Sequence, residues 1–246
     1  MISQGDQPIE LKRLSPALEP LHLRNLGELR KHFLEANWPA PSLLMNFVSD
    51  TKGNFVGSSQ SSRDITNKFD YECLIGLRMA ADGILTTAKT ARLEGYRRSR
   101  HAPLALVSRS GDFEAIPAVI DVEAGPTDSA VYLLVPSRIA SEARMKYSQA
   151  WIRVIKIGRG GAFRTTLALT RLGWRRILSE SGNKYSRFLI ENSASKFLNL
   201  TIVDAGDESP LQACQASLSS LGIRGALLLR AERVEDTLFT QWSEFL

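Results

Sequence analysis

The chain has 246 residues, 43% of them hydrophobic and 23% charged, a balance that supplies a core for one large domain or two small ones and excludes wholesale disorder. Its formal charge of +5 is modest, and the basic runs Arg97-Arg98-Ser99-Arg100-His101 and Arg175-Arg176 are short and lack interleaved aromatics, so nucleic acid is not an expected partner. No apolar run approaches the roughly 18 residues of a membrane span, the first residues lack a signal-peptide core, and Cys73 and Cys214 form no CxxC and have no neighbouring His. The expectation is a cytoplasmic protein with reduced thiols, no metal site and no membrane partner.

Residues 1–41 read as an N-terminal extension with one helix packed on the main domain, and 42–246 as that domain. Leu26, Leu29 and Phe33 recur at helical spacing, and Asn37, Pro39 and Pro41 close the helix. Ser42–Ser49 is the first buried strand. A polar stretch rich in Gly and Ser follows, then an amphipathic helix over Ile65–Ala81 with Phe69, Cys73 and Leu77 on one face. Asp82-Gly83 breaks it before a short buried strand at Ile84 and Leu85, after which Thr86 to Thr90 open a polar loop. Short strands are expected at Pro103–Ser108, Ala130–Ser137 and Trp151–Gly158, with Gly158–Gly161 a flexible connection. Next come a helix at Thr165–Gly173, a strand at Arg175–Glu180, and a helix at Lys184–Ser193 that turns Tyr185, Phe188 and Leu189 inward. A strand at Phe197–Val203 and a hairpin over Gly225–Trp242, turning at Glu235-Asp236, end the chain. Strands alternating with helices imply an α/β fold whose mixed sheet is covered on both faces.

Two segments carry chemistry. The threonines after Leu85 put hydroxyls and little bulk at the C-terminal end of a strand, where ligands bind in open α/β sheets. In Arg176–Tyr185 a hydrophobic strand ends in the acid Glu180, Gly182 permits a tight turn and a helix begins at once. Backbone N–H groups at such a helix head favour anions and suit a dinucleotide pyrophosphate, although the same junction also serves simply to connect elements. His22, His32 and His101 are dispersed and none has an obvious Ser or Cys partner, so a triad is not expected.

The stretch Leu77–Tyr96, LRMAADGILTTAKTARLEGY, resembles the pyrimidine reductase family of riboflavin biosynthesis, in particular its actinobacterial type, with Arg78, Thr90, Arg92, Glu94 and Tyr96 falling on the family pattern. Glu180, Ser181, Gly182 and Asn183 occupy the family's Glu-Gly-Gly-Pro turn, and Ser62 matches the serine of its Gly-x-Ser segment. The resemblance spans roughly residues 42 to 240. It implies a three-layer α/β/α sandwich of the dihydrofolate-reductase-like class with a mixed, mostly parallel sheet, and a homodimer. It also implies substrate contacts at Ser62, Arg78 and Glu180, and cofactor contacts at Thr90, Glu94, Ser108, Arg109, Gly182, Asn183, Lys184 and Tyr185. No side chain is assigned as catalytic, because the cofactor carries the chemistry. An Arg beside a Ser at 108–109 suits a 2′-phosphate and hence NADPH.

The implied reaction is hydride transfer from NADPH to the ribosyl C1′ of a phosphorylated small molecule, 5-amino-6-(5-phosphoribosylamino)uracil. A bifunctional deaminase is excluded, since the His/Cys zinc motif is missing. Read without the resemblance, Ser62 is a loop serine, Arg78 a helix-surface ion-pair residue and Arg109 a turn residue, and both sets of readings stand at this point. Departures from the family pattern are Asp50 for a Ser, Lys52 for an Asp, Thr87 and Lys89 for loop glycines, Ser181 for a Gly, and Lys196-Phe197 for an Asp-Glu tied to the dimer contact. They keep two alternatives open: a reductase acting on a pterin or other heterocycle, and a catalytically decayed paralogue that binds ligand.

Overall fold

A computed structural model describes residues 8–35, 38–121, 130–158, 161–192 and 194–243. In chain order the elements are β1 (Ile9–Ser15), β2 (Ala17–Leu23), α1 (Leu26–Leu34), β3 (Ser42–Ser49), α2 (Lys68–Ala80), β4 (Gly83–Thr87), α3 (Ala88–Leu93), β5 (Leu104–Val107), α4 (Pro117–Ile120), β6 (Val131–Pro136), α5 (Ala140–Lys146), β7 (Ile152–Ile157), α6 (Gly161–Thr170), β8 (Arg176–Ser179), α7 (Asn183–Glu191), β9 (Phe197–Ile202), α8 (Pro210–Leu221), β10 (Leu227–Val234) and β11 (Thr237–Ser243). They form two compact units, the first made of Met1–Trp38, Leu44–Ala80 and Lys196–Leu246, the second of Pro39–Leu43 and Ala81–Ser195.

In the first unit the strands run β2-β1-β10-β11-β9-β3, antiparallel except for the parallel β9–β3 pair. Strand side chains alternate between faces, and the alternation sorts the helices here. Phe239 of β11 packs its ring on Phe33 of α1, with centroids 4.8 Å apart, and Asn199 of β9 reaches Cys73 of α2. The next residue along β11, Thr240, lies 3.5 Å from Cys214 of α8, and Ser49 of β3 bonds Ser217 of α8 at 2.6 Å. So α1 and α2 cover one face and α8 the other. Helices α1 and α2 touch closely at Gly76, where a Cβ would stand 2.6 Å from the Arg30 carbonyl oxygen.

The second unit is wholly parallel, in the order β8-β4-β5-β6-β7. Ile84, Leu104, Leu106, Val131, Leu133, Val135 and Ile152 form one buried cluster with residues of α3, α4 and α5. On the other face Tyr132 packs edge-on against Trp174, which follows α6. Helices therefore flank the sheet of each unit on both sides, the α/β layering expected from the sequence, with parallel pairings in the majority.

Three elements depart from the sequence reading. The first 41 residues hold not only α1 but also a hairpin, β1–β2, because Lys12, Arg13 and Ser15 pair with β10. The polar loop expected after β4 is the helix α3, because Thr87 caps it: its side-chain oxygen accepts from the Thr90 N–H. Helix α8 went unread although its signals are present, with Ser209 as N-cap, Pro210 at the first turn and left-handed Gly222 at the end. Arg159 and Gly160 of the expected flexible connection, and Asn37, lie outside the described residues.

Both cysteines are free and buried. Burial pushes the Cys73 thiol well above its ordinary value and that of Cys214 to about 11. At pH 8 the native protein should leave both unreactive toward a disulfide reagent such as Ellman's, and both should react after unfolding in guanidinium. Rapid release of colour by the native chain would contradict this placement.

Candidate functional site

The handedness of parallel crossovers decides which side chains of the second unit can meet. From β4 to β7 each strand lies beside its predecessor, so right-handed connections put α3, α4 and α5 on one face. The return from β7 to β8 runs back across the sheet and puts α6 on the other, where α7 contacts it. Strands β4 and β8 are neighbours, yet the helices that follow them leave on opposite faces. That is a topological switch point, the place where an open α/β sheet forms a crevice at its strand ends.

Threonines tie this crevice together. The Thr86 hydroxyl, fully buried, donates to the Glu180 carbonyl at 3.0 Å. Thr90 Oγ1 lies 2.9 Å from Thr87 Oγ1 and accepts from the Gly182 N–H at 3.1 Å. Thus Thr87, standing where the family pattern has a loop glycine, works here as a helix cap. Gly182 is the N-cap of α7 and provides no side-chain cap, while a Cβ on it would come within 3.2 Å of Thr90 Oγ1. The first N–H groups of a helix have no partner within the helix, so the head of α7 offers donors to an anion. Ser181 is buried and turns inward, its hydroxyl 2.5 Å from that of Ser179 and its carbonyl accepting from Ser186 Oγ at 3.0 Å. Its side chain therefore adds no bulk to the mouth of the crevice.

Glu180 is 8% exposed. Its backbone N–H donates to the Leu85 carbonyl at 2.9 Å, continuing the β8–β4 pairing, and its Oε2 accepts from the Tyr96 hydroxyl at 2.5 Å. Asn183, at the head of α7, has a buried Oδ1 with no hydrogen-bond partner. Lys184 is exposed, and Tyr185 points its hydroxyl at Thr165 Oγ1 of α6 at 3.3 Å, with burial raising its pKa. Glu94 is half-buried and ends α3, its N–H donating to the Thr90 carbonyl at 2.9 Å. Arg92 supports the scaffold through the Glu114 carbonyl and Asp112. One strand along, Ser108 follows β5 and organises the next turn by accepting from the Gly111 N–H at 3.1 Å, which leaves Arg109 exposed beside it.

In the first unit, Ser62 opens a 3₁₀ turn, Ser62–Asp64, and is half-buried, its carbonyl accepting from Ile65 and Thr66. Arg78 sits half-buried in the last turn of α2, where a cation suits the helix dipole. Lys52 is exposed in a turn built by Asp50, whose Oδ1 accepts from the N–H groups of Lys52 and Asn54, both at 2.9 Å. The second unit thus brings Thr90, Glu180, Gly182 and Asn183 to one strand edge, with Ser108 and Arg109 at the same end of the neighbouring strand. Ser62 and Arg78 belong to the first unit. Tyr96 is the residue whose role sequence reasoning missed; its only signal was its place in the pattern LEGY.

Among the described residues, no group of three or more His, Cys, Asp or Glu is placed to hold a metal, and no helix is long and apolar enough to cross a membrane. No protein-family model and no curated protein sequence matches the chain. Solved structures do. A pyrimidine reductase-like protein of Corynebacterium diphtheriae is 19% identical with a TM-score of 0.66, over 88% of this chain and 98% of that one. A diaminohydroxyphosphoribosylaminopyrimidine deaminase/5-amino-6-(5-phosphoribosylamino)uracil reductase of Thermotoga maritima is 12% identical with a TM-score of 0.63, over 83% of this chain and 56% of that one. The chain has the pyrimidine reductase fold. A riboflavin biosynthesis reductase of Saccharomyces cerevisiae shares it at 9% identity and a TM-score of 0.54, over 90% of this chain and 97% of that one. This is the mixed, mostly parallel α/β arrangement that the resemblance implied.

If Thr87 and Thr90 hold the crevice as described, Thr87→Ala should cost about 1 kcal/mol in urea unfolding, the usual loss of an N-cap. Thr90→Val should cost roughly 1–3 kcal/mol by leaving a donor without its acceptor. Hydrogen exchange of the Gly182 amide should accelerate in Thr90→Val, and unchanged exchange would show that the bond does not tie α3 to α7.

Proposed function

We propose that this chain is an NADPH-dependent reductase of the riboflavin-pathway type, transferring hydride to the ribosyl C1′ of 5-amino-6-(5-phosphoribosylamino)uracil. The observation that carries the proposal is the switch point between β4 and β8, where the uncapped head of α7 meets Thr90 and the buried acid Glu180. The shared fold of riboflavin-pathway reductases supports it.

The residues present fit the cofactor. Asn183 and Lys184 present backbone donors and a cation to a pyrophosphate, beside Gly182, whose own N–H is held by Thr90. Ser108 and the exposed Arg109, at the end of β5, offer a hydroxyl and a planar charged fork to a 2′-phosphate. When bound, NADPH supplies the hydride.

The chain's own residues hold and orient. Thr90, Glu94 and Tyr185 shape the crevice around the cofactor, and Glu180 holds the substrate by a carboxylate fixed at both its backbone and its side chain. In the first unit, Arg78 provides a charge and Ser62 a neutral hydrogen bond, a combination suited to a phosphate-bearing substrate. Rate enhancement then comes mainly from positioning. The protein acts as a cytoplasmic homodimer in this reading, which sedimentation would test.

NADPH oxidation should be observed with the phosphoribosylaminopyrimidine and not with dihydrofolate; the reverse preference would point to a pterin-type reductase. Titrations followed by tryptophan fluorescence should show NADPH binding about tenfold or more tightly than NADH, and Arg109→Ala should abolish the preference. Equal affinities in the parent would remove Arg109 from the site. A chain that binds neither cofactor is no reductase.

A further inference from the structure

We infer that Tyr96 is a positioning residue for the reaction, holding the Glu180 carboxylate through its hydroxyl; this rests on the substrate role proposed for Glu180. The inference starts from the way α3 ends. Gly95 takes a left-handed conformation, with φ 61°, and its N–H donates to the Arg92 carbonyl at 3.3 Å, while the Tyr96 N–H donates to the Ala91 carbonyl at 2.8 Å. This pair of bonds is a Schellman stop, which sets the following residue back against the helix it has just left. The Tyr96 carbonyl accepts in turn from the Ala118 N–H of α4 at 2.8 Å. Both backbone polar groups of Tyr96 are thereby fixed.

The side chain is fixed as well. The Tyr96 ring packs on the buried cluster of α3, α4 and β5, so its hydroxyl has little freedom to swing. That hydroxyl donates to Glu180 Oε2 at 2.5 Å, within the short range of a hydroxyl bonded to a carboxylate. Glu180 is anchored independently, since its N–H bonds the Leu85 carbonyl and its carbonyl accepts from Thr86 Oγ1. With the main chain of Glu180 held by β4, the remaining freedom lies in the acid side chain, and the Tyr96 bond restrains it. An acid that meets substrate in one rotamer pays less entropy on binding and is already aligned for the transition state. The fold supplies this alignment through the stop of α3, an element on the other face of the sheet from α7.

The experiment combines a bond signature with kinetics. In the parent, a proton resonance downfield of the amide region should report the Tyr96–Glu180 bond, and it should vanish in both Tyr96→Phe and Glu180→Ala. Tyr96→Phe keeps the packing and should lower kcat/KM for the pyrimidine substrate about tenfold or more, with NADPH affinity unchanged. In a Glu180→Ala background the same change should have no further effect, because a residue acting through Glu180 has nothing left to position. Full additivity of the two changes, or turnover within twofold of the parent in Tyr96→Phe, would overturn the positioning role. Absence of the resonance from an active parent would overturn that role alone. A bond that is present in a chain with no turnover would overturn the proposed function, and the positioning role with it.

Discussion

Crossovers between parallel strands of one sheet are almost always right-handed, and the site of the second unit depends on that constraint. Strands β4 and β8 end side by side, but α3 and α7 must depart to opposite faces. A gap between the two helix heads follows from the topology. What keeps the gap at a useful width is the hydrogen bond from the Gly182 N–H to Thr90 Oγ1, backed by Thr87. The same few atoms cap α3, orient the first turn of α7 and leave the α7 head without a side-chain cap of its own. The scaffold and the candidate binding surface are therefore not separable here.

The first unit shows a different means of fixing helix against strand. Glu232 of β10 is 3% exposed and lies against His32 of α1, at 2.9 Å, and Arg230, at 2.7 Å. Burial alone pushes this carboxyl up, but the hydrogen bond from His32 and the Arg230 charge more than offset it and leave it below its ordinary value. Such a cluster adds little net stability over apolar packing, yet breaking it would strand a buried charge, so it penalises any other seating of α1 on the sheet. Arg30 and Glu72 add a second ion pair, between α1 and α2.

Legibility in the sequence followed how local each determinant was. The short apolar runs from Pro103 to Gly158 are strands, and the terminal hairpin turns at Glu235-Asp236, with Val234 paired to Thr237. These segments carry their own period and breakers. Residues 86 to 90 suggested a loop because they lack apolar periodicity, and α3 exists through a cap bond and a buried Ala88 and Ala91 that small side chains do not advertise. The hairpin β1–β2 escaped notice because the strand that β1 joins, β10, lies some two hundred residues away in sequence.

The candidate site divides along the same line. From the sequence alone came the α/β class, the strand-end threonines and the acid–Gly–helix junction at Glu180–Asn183, since each is a matter of residue type at short spacing, while Arg109 was singled out only by the family resemblance. Only the tertiary structure decided that Thr90 bonds Gly182, that Ser181 faces inward onto Ser179, and that Tyr96 reaches Glu180. Those contacts join residues about ninety positions apart or depend on which way a turn points a side chain. Both are set by strand order and crossover hand, which no local pattern encodes.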